Sequence, residues 1–269
     1  MKIAFIGGGV MAEAMLSAIL KTLPAPHAIS ISDISDTRRL YIEQEYGKKF
    51  SMTVVSSNQL AAKEADIVIL AIKPQNLAEV MTELSGQFQS SQLVLSIIAG
   101  ARINTLRLGL KHGCIARAMP NTPAQIGEGI SIWTATAEVT QQQKEQAGSI
   151  LRAMGKEIYV DDEKYIDMAT AVSGSGPAYF FLMIESLVEA AVGIGLPSDT
   201  AQKLVLQTML GSGHLIQRSG KTPAELRKMV TSPGGTTEEA LLQLQEGGLS
   251  NLIARAVSAA YEKAKRLGE

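Results

Sequence analysis

The amino-terminal segment constrains the fold more than any other stretch of the chain. Lys2–Ile6 is a short apolar run that ends directly in Gly7-Gly8-Gly9-Val10-Met11-Ala12, and sequence suited to a helix follows through Leu20. This is Gly-x-Gly-x-x-Ala set between a first strand and a helix. In that setting Gly7 makes the tight turn, Gly9 lets phosphates approach the backbone, and Ala12 permits close helix–sheet contact. The helix start then offers unpaired N–H groups and the positive end of its dipole to an anion. The glycines alone would fit an incidental tight turn. The strand before and the helix after make the pattern a dinucleotide-binding, Rossmann-type βα unit.

The same alternation continues to about residue 160, with apolar or β-branched runs at Ile29–Ser32, Ile67–Ile72, Leu93–Ile97, Cys114–Met119, Ser131–Thr134 and Glu157–Val160. Strands separated by helices of this size predict a mostly parallel sheet with crossover helices. After Asp161 strand signals stop. Helical periodicity takes over, punctuated by Gly-Pro at 176–177, Leu-Pro at 196–197, Thr-Pro at 222–223 and Ser-Pro-Gly-Gly at 232–235. The chain is read as a dinucleotide-binding α/β domain, residues 1–160, and an all-α domain, residues 161–269. In the second, Ala178–Leu196, Leu204–Leu215 and Leu252–Ala260 are apolar on more than one face, and such helices need burial on several sides. Interleaving with the same region of a second chain meets that need, so an obligate homodimer is expected. A self-contained bundle is the alternative.

Composition narrows the partners. With 25 basic and 26 acidic residues the net charge is −1, which gives no footprint for a polyanion, so nucleic acid is not expected. Cys114 is the only cysteine; it cannot form an internal disulfide, in keeping with a reducing cytoplasm. His27, His112 and His214 are the only histidines, so no metal site is expected. The amino terminus is interrupted by glycines and Glu13, too early for a signal peptide. Ala178–Leu196 carries Glu185 and Glu189; a membrane span tolerates these badly, and a buried interface helix is the better reading.

The second strand ends in Ile31-Ser32-Asp33, where a carboxylate accepts hydrogen bonds from ribose hydroxyls and repels the 2′-phosphate of NADPH. That favours NADH. Arg38 and Arg39 follow closely and can pair with the same phosphate or simply sit solvated, so NADPH and NADH both stay open. Ala71-Ile72-Lys73-Pro74 and Ile98-Ala99-Gly100 lie at the carboxyl ends of the next strands, where ligands bind in an open α/β sheet. Lys73-Pro74 fits a strand stop equally well. Met119-Pro120-Asn121 ends a further strand and is expected to wall the nicotinamide pocket, unless Asn121 satisfies only local backbone.

Five segments together resemble the pyrroline-5-carboxylate reductase family: Phe5–Ala12, Ala71–Pro74, Arg117–Pro123, Val172–Tyr179 and Val230–Thr237. They occur in the family's order across nearly the whole chain. The resemblance implies reduction of 1-pyrroline-5-carboxylate to L-proline, an amino-terminal dinucleotide domain, and a helical domain that interlocks into dimers, which assemble into rings. It implies cofactor contacts from Ile6, Gly7, Gly8, Gly9, Val10 and Met11, from the segment near Asp33, from Asn58, from Ala71, Ile72, Lys73 and Pro74, and from Ile98, Ala99 and Gly100. Substrate contacts would come from Glu163, Thr236, Thr237 and the backbone of Met229. Two positions depart from the family pattern. Asp33 stands where many members carry a small hydroxyl residue or an Asn-Arg pair, and Met229 replaces polar residues seen in some relatives.

The chemistry suits these residues. Thr236-Thr237-Glu238-Glu239 reads as a capping box after Pro233-Gly234-Gly235, so a helix is expected to begin there with Thr236 as its cap. Ser232, Gly234 and Gly235 would leave amides open to the substrate carboxylate. Thr237 is then free to donate its hydroxyl to the imine nitrogen and is the catalytic candidate. An ordinary helix–turn–helix connection is the alternative. Ser173-Gly174-Ser175-Gly176-Pro177 suits either close approach of a ligand or helix capping and tight packing.

Two other functions share the glycine loop. A hydroxyacid or 6-phosphogluconate dehydrogenase commonly uses a lysine on the long helix that opens the second domain, and no lysine occurs between Lys164 and Lys203. A non-catalytic dinucleotide sensor would have no use for the Ser-Pro-Gly-Gly-Thr-Thr loop.

Overall fold

The structure is a computed structural model that describes residues 1–23, 28–47 and 52–268; His27 falls outside the described residues. The elements in order are β1 (Lys2–Ile6), α1 (Val10–Thr22), β2 (Ala28–Ser32), α2 (Asp36–Ile42), β3 (Met52–Val55), α3 (Asn58–Ala62), β4 (Ile67–Leu70), α4 (Leu77–Leu84), β5 (Leu93–Ser96), α5 (Ile103–Leu110), β6 (Ile115–Met119), β7 (Gly129–Ala135), α6 (Gln141–Arg152) and β8 (Gly155–Tyr159). There follow α7 (Lys164–Ala169), α8 (Gly176–Gly193), α9 (Ser198–Ser219), α10 (Pro223–Met229), α11 (Thr236–Glu246) and α12 (Leu249–Leu267).

The strands form one sheet in the order β3-β2-β1-β4-β5-β6-β7-β8. All neighbours are parallel except β6 and β7. β1 and β4 are adjacent, with Ile6 opposite Leu70, yet the chain leaves β1 toward one edge and β4 toward the other. The sheet is therefore a doubly wound Rossmann type with its switch point between β1 and β4. Both of its faces are covered. Phe5, Met15, Ile19 and Ile69 belong to the core on one side, and Ile6, Val68, Leu84 and Leu106 to the core on the other. β3 is a strand that the sequence did not signal. It is a short edge strand, half-buried or exposed throughout, so it shows neither a continuous apolar run nor strong alternation.

The chain divides into two compact units, Met1–Ser175 with Ala260–Glu269, and Gly176–Ala259. Within the second, α8 and α9 pack together, but almost nothing is buried. Gly176 is the buried residue of α8, Ala201 that of α9, and α10 and α11 have none. Phe180, Phe181 and Leu182 are each more than 60% exposed, and Leu187, Leu206, Leu210, Leu252 and Ile253 are exposed as well. Burying one such side chain is worth about 1.5–3 kcal/mol. A helical unit that leaves this many in water lacks the core it needs to stand alone. The run Lys164–Gly193 is long and apolar enough to cross a membrane by length and composition; it also carries Glu185 and Glu189.

We predict that a second copy of the same unit supplies the missing burial. The expected outcome is that the midpoint of denaturant unfolding rises with protein concentration, as linked association requires. A midpoint independent of concentration, with a monomer in sedimentation, would refute it.

Candidate active site

The candidate site starts at the turn after β1. Gly7 has φ +94°, and a Cβ there would lie 2.7 Å from the Ala71 carbonyl oxygen, so the turn lies flat over the end of β4. Its amide donates to the Ser32 carbonyl (2.8 Å), and the Ala71 amide donates to Ile6 (2.9 Å). Gly8 is buried over Ile42. Gly9 differs from both, because a Cβ on it would meet nothing within 4 Å. It is the residue before α1, and no side chain caps that helix. No side chain therefore occupies the first-turn amides of α1, and the positive end of the dipole lies behind them, an arrangement suited to an anion such as pyrophosphate. Val10 is 65% exposed and Ala12 2%, matching a residue beside the ligand and one against the sheet.

A cleft of about 340 Å³ opens beside this turn. Gly7, Gly9, Asp33, Asn58, Ala71, Ile72 and Lys73 line it, all expected from the sequence. Ser32, Ile34, Ser56, Asn76, Glu79, Val80 and Glu83 line it too and were not expected. Ser56 follows the unforeseen β3, and Glu79 and Glu83 share one face of α4 by their i, i+4 spacing. Asn58 is buried, accepts from the Ser32 hydroxyl (2.6 Å) and donates to Glu83 (2.6 Å). Asp33 accepts from the Gly8 amide (2.8 Å) through one oxygen and from the Ser35 amide (2.8 Å) through the other.

Arg38 and Arg39 are engaged in separate contacts. Arg38 donates to the Gly8 carbonyl and to the Glu13 carboxylate, and lies over the Tyr41 ring. Arg39 donates to the Asp33 carbonyl (2.6 Å) and to Asp36. Glu13 also accepts from the Tyr41 and Tyr46 hydroxyls. Partial burial pushes the Glu13 carboxyl up, but the bonds from Arg38 and Tyr41 outweigh it and hold it below the usual carboxylate range. Burial and the nearby Glu13 charge push the Tyr46 phenol up to about 12.

The other expected cofactor residues lie outside this cleft. Ile6 and Ile98 are buried, at 0% and 2% exposure, so only their backbone can meet a ligand. Gly100 is covered by Leu267 near the end of α12, whose Cβ lies 2.6 Å from where a Gly100 Cβ would stand. Asn121 accepts from the Ile130 amide (2.9 Å), the local role considered for it. Met119 packs on Gly174. The Ser-Gly-Ser-Gly-Pro stretch does not break the chain here. Thr170–Gly174 forms a π-helical turn between α7 and α8, closed by the Ser175 amide on the Thr170 carbonyl (2.8 Å), a distortion that often marks functional helices.

Glu163 is held at the start of α7. Its Oε1 accepts from Arg117 (2.8 Å) and from the Ile103 amide at the head of α5 (2.8 Å). Arg117, 2% exposed in β6, also donates to the buried Asp167 (2.7 Å). Sequence reading missed this cluster. Its signal was the Glu163–Asp167 spacing, which puts two carboxylates on one helical face.

In the second unit, Thr236 does not cap α11. Gly235 is the residue before the helix, and Glu238 reaches back to the Gly234 amide (2.7 Å). Gly234 has φ +70°, which fixes the end of the loop one residue earlier than a threonine cap requires. The Gly235 amide donates to Ser232 (3.0 Å), so the loop's glycine amides are spent internally. Ser232, Thr236 and Met229 are exposed and Thr237 half-buried.

The family model for pyrroline-5-carboxylate reductase dimerisation matches residues 163–267, and that for NADP oxidoreductase, coenzyme F420-dependent, matches residues 2–100. The chain is 41% identical over its full length to the pyrroline-5-carboxylate reductase of Pseudomonas aeruginosa, covering 97% of that protein. It belongs to the pyrroline-5-carboxylate reductase family. Solved structures agree. The Coxiella burnetii pyrroline-5-carboxylate reductase matches with a TM-score of 0.88 and 36% identity, over 99% of this chain and 98% of that one. The Plasmodium falciparum pyrroline carboxylate reductase, solved with NADP bound, matches with a TM-score of 0.88 and 32% identity, over 100% and 98%. The dimerisation match covers the helices that lack a core of their own, and the protein is a homodimer.

Two substitutions test this geometry. Gly9→Val should fold with an unchanged melting temperature yet bind dinucleotide about 100-fold more weakly, since its side chain enters the phosphate cradle; unaltered binding would mean the cradle lies elsewhere. Arg117→Met should lose about 3 kcal/mol in urea unfolding, because it strands two carboxylates, and a loss below about 1 kcal/mol would show the cluster to be peripheral.

Proposed function

We propose that the protein reduces 1-pyrroline-5-carboxylate to L-proline with NADPH or NADH, completing proline biosynthesis. Full-length identity of 41% to a reductase of that name carries the reading. The uncapped α1 start and the open face at Gly9 support it, because together they fit a dinucleotide. When bound, the reduced nicotinamide supplies the hydride.

The chain's own residues bind and orient. The proposed cofactor set is Ile6 to Ala12, Asp33, Asn58, Ala71 to Pro74, Ile98 to Gly100 and Met119 to Asn121. The proposed substrate set is Glu163, Met229, Ser232, Thr236 and Thr237, with Gly234 and Gly235 shaping the loop that carries them. Because the Gly234 and Gly235 amides have partners within the loop, the substrate carboxylate falls to the Thr236 and Thr237 amides at the head of α11. The Thr237 hydroxyl donates to the imine nitrogen. A threonine is too weak an acid to be the proton source near neutral pH, so water brings the proton to the imine. Where the ring enters already as the iminium, its N–H donates to the Thr237 oxygen instead. Alignment of the reacting atoms within about 3–3.5 Å then carries most of the rate.

The same reading divides the chain functionally near residue 160, gathers homodimers into a ring, and places the protein in the cytoplasm without membrane or nucleic-acid partners. Oxidation of reduced nicotinamide should occur only when 1-pyrroline-5-carboxylate is present, and no dependence on that substrate would overturn the assignment. Thr237→Ala should lower kcat/KM by about 10-fold or more, roughly 1.4 kcal/mol of transition-state stabilisation. An unchanged value would remove Thr237 from the mechanism.

A further inference from the structure

We infer that this protein selects NADH over NADPH, and that Asp33 is the residue that makes the choice. The inference rests on the dinucleotide reading of the cleft. Asp33 closes β2 at the cleft wall, the place where a dinucleotide's adenosine ribose is recognised in this fold. It is fixed there by two amides, one to each oxygen. A carboxylate has about four lone-pair sites, so the acceptor capacity for ribose hydroxyls remains, held in place.

A 2′-phosphate would need cations that are free to turn toward it. Arg38 would have to give up the Gly8 carbonyl, Glu13 and its stacking on Tyr41. Arg39 would have to release the Asp33 carbonyl and Asp36. Their side chains are only 25% and 21% exposed. The charged residues of the cleft wall are Asp33, Glu79 and Glu83 against Lys73, three carboxylates to one ammonium. The field there repels an added dianion and exerts no net-charge repulsion on a neutral hydroxyl.

Titration of the intact protein with NADH and with NADPH, followed by nicotinamide fluorescence in the absence of substrate, tests this directly. NADH is expected to bind about 10-fold or more tightly than NADPH; equal or tighter binding of NADPH overturns the inference. Asp33→Ser should move the ratio of the two dissociation constants toward NADPH by about 10-fold or more. Asp33→Asn keeps an acceptor for the Gly8 amide while removing the charge, and it supplies the reading if the serine variant does not fold. A ratio unchanged in the folded variant removes Asp33 as the determinant. If NADH is preferred in binding but 1-pyrroline-5-carboxylate is not reduced, the proposed reaction fails and the cofactor inference stands.

Discussion

The approach of Gly7 to Ala71 is the contact on which the first unit depends. β1 and β4 are hydrogen-bonded neighbours whose chains depart in opposite directions, and a crevice opens only where such departures diverge. The turn after β1 must clear the end of β4 at backbone distance. Gly7 achieves this with φ +94°, where any Cβ would collide with the Ala71 carbonyl. From that turn the chain runs along the cleft at Gly7 and Gly9 into α1, and the Gly8 amide reaches Asp33. One glycine thus sets the turn before α1 and the position of the carboxylate beside it.

The second unit obeys a different constraint. Its helices are continuous and internally hydrogen-bonded, so their backbone needs are met without a core. Their side chains are not: Phe180, Phe181, Leu206 and Leu210 stand in water within one chain. Backbone satisfaction and side-chain burial are separate requirements, and here one chain meets only the first. The carboxyl-terminal residues from Ala260 belong to the first unit, where Leu267 covers Gly100.

How much of this was legible in the sequence depended on how local the cause was. The Gly7–Ala12 turn was legible because its geometry is set by residues adjacent in the chain. The α11 start was misjudged by one residue. Thr236-Thr237-Glu238-Glu239 offers two overlapping registers, and the positive φ of Gly234 decides between them in favour of Glu238. β3 was missed because an edge strand buries little. Arg117 was quoted in a motif but given no role, since its partners Glu163 and Asp167 lie 46 and 50 residues further on. Pairings at such separation leave no periodic trace.

Arg38 and Arg39 show why proximity in sequence does not equal availability in space. Adjacent on α2, they point about 100° apart around the helix axis, as a 3.6-residue turn requires. One turns to Glu13 on α1 and the other back to Asp36 in its own first turn. Each guanidinium therefore meets an acid of its own before any ligand arrives. Glu13 is the less obvious partner, because a carboxylate in the first turn of a helix would set its charge against any anion bound at that end. Neutralisation by Arg38, helped by two tyrosine hydroxyls, removes that conflict. Arg38 is thus engaged by the Gly8 carbonyl and Glu13, and the start of α1 carries no unpaired carboxylate from Glu13.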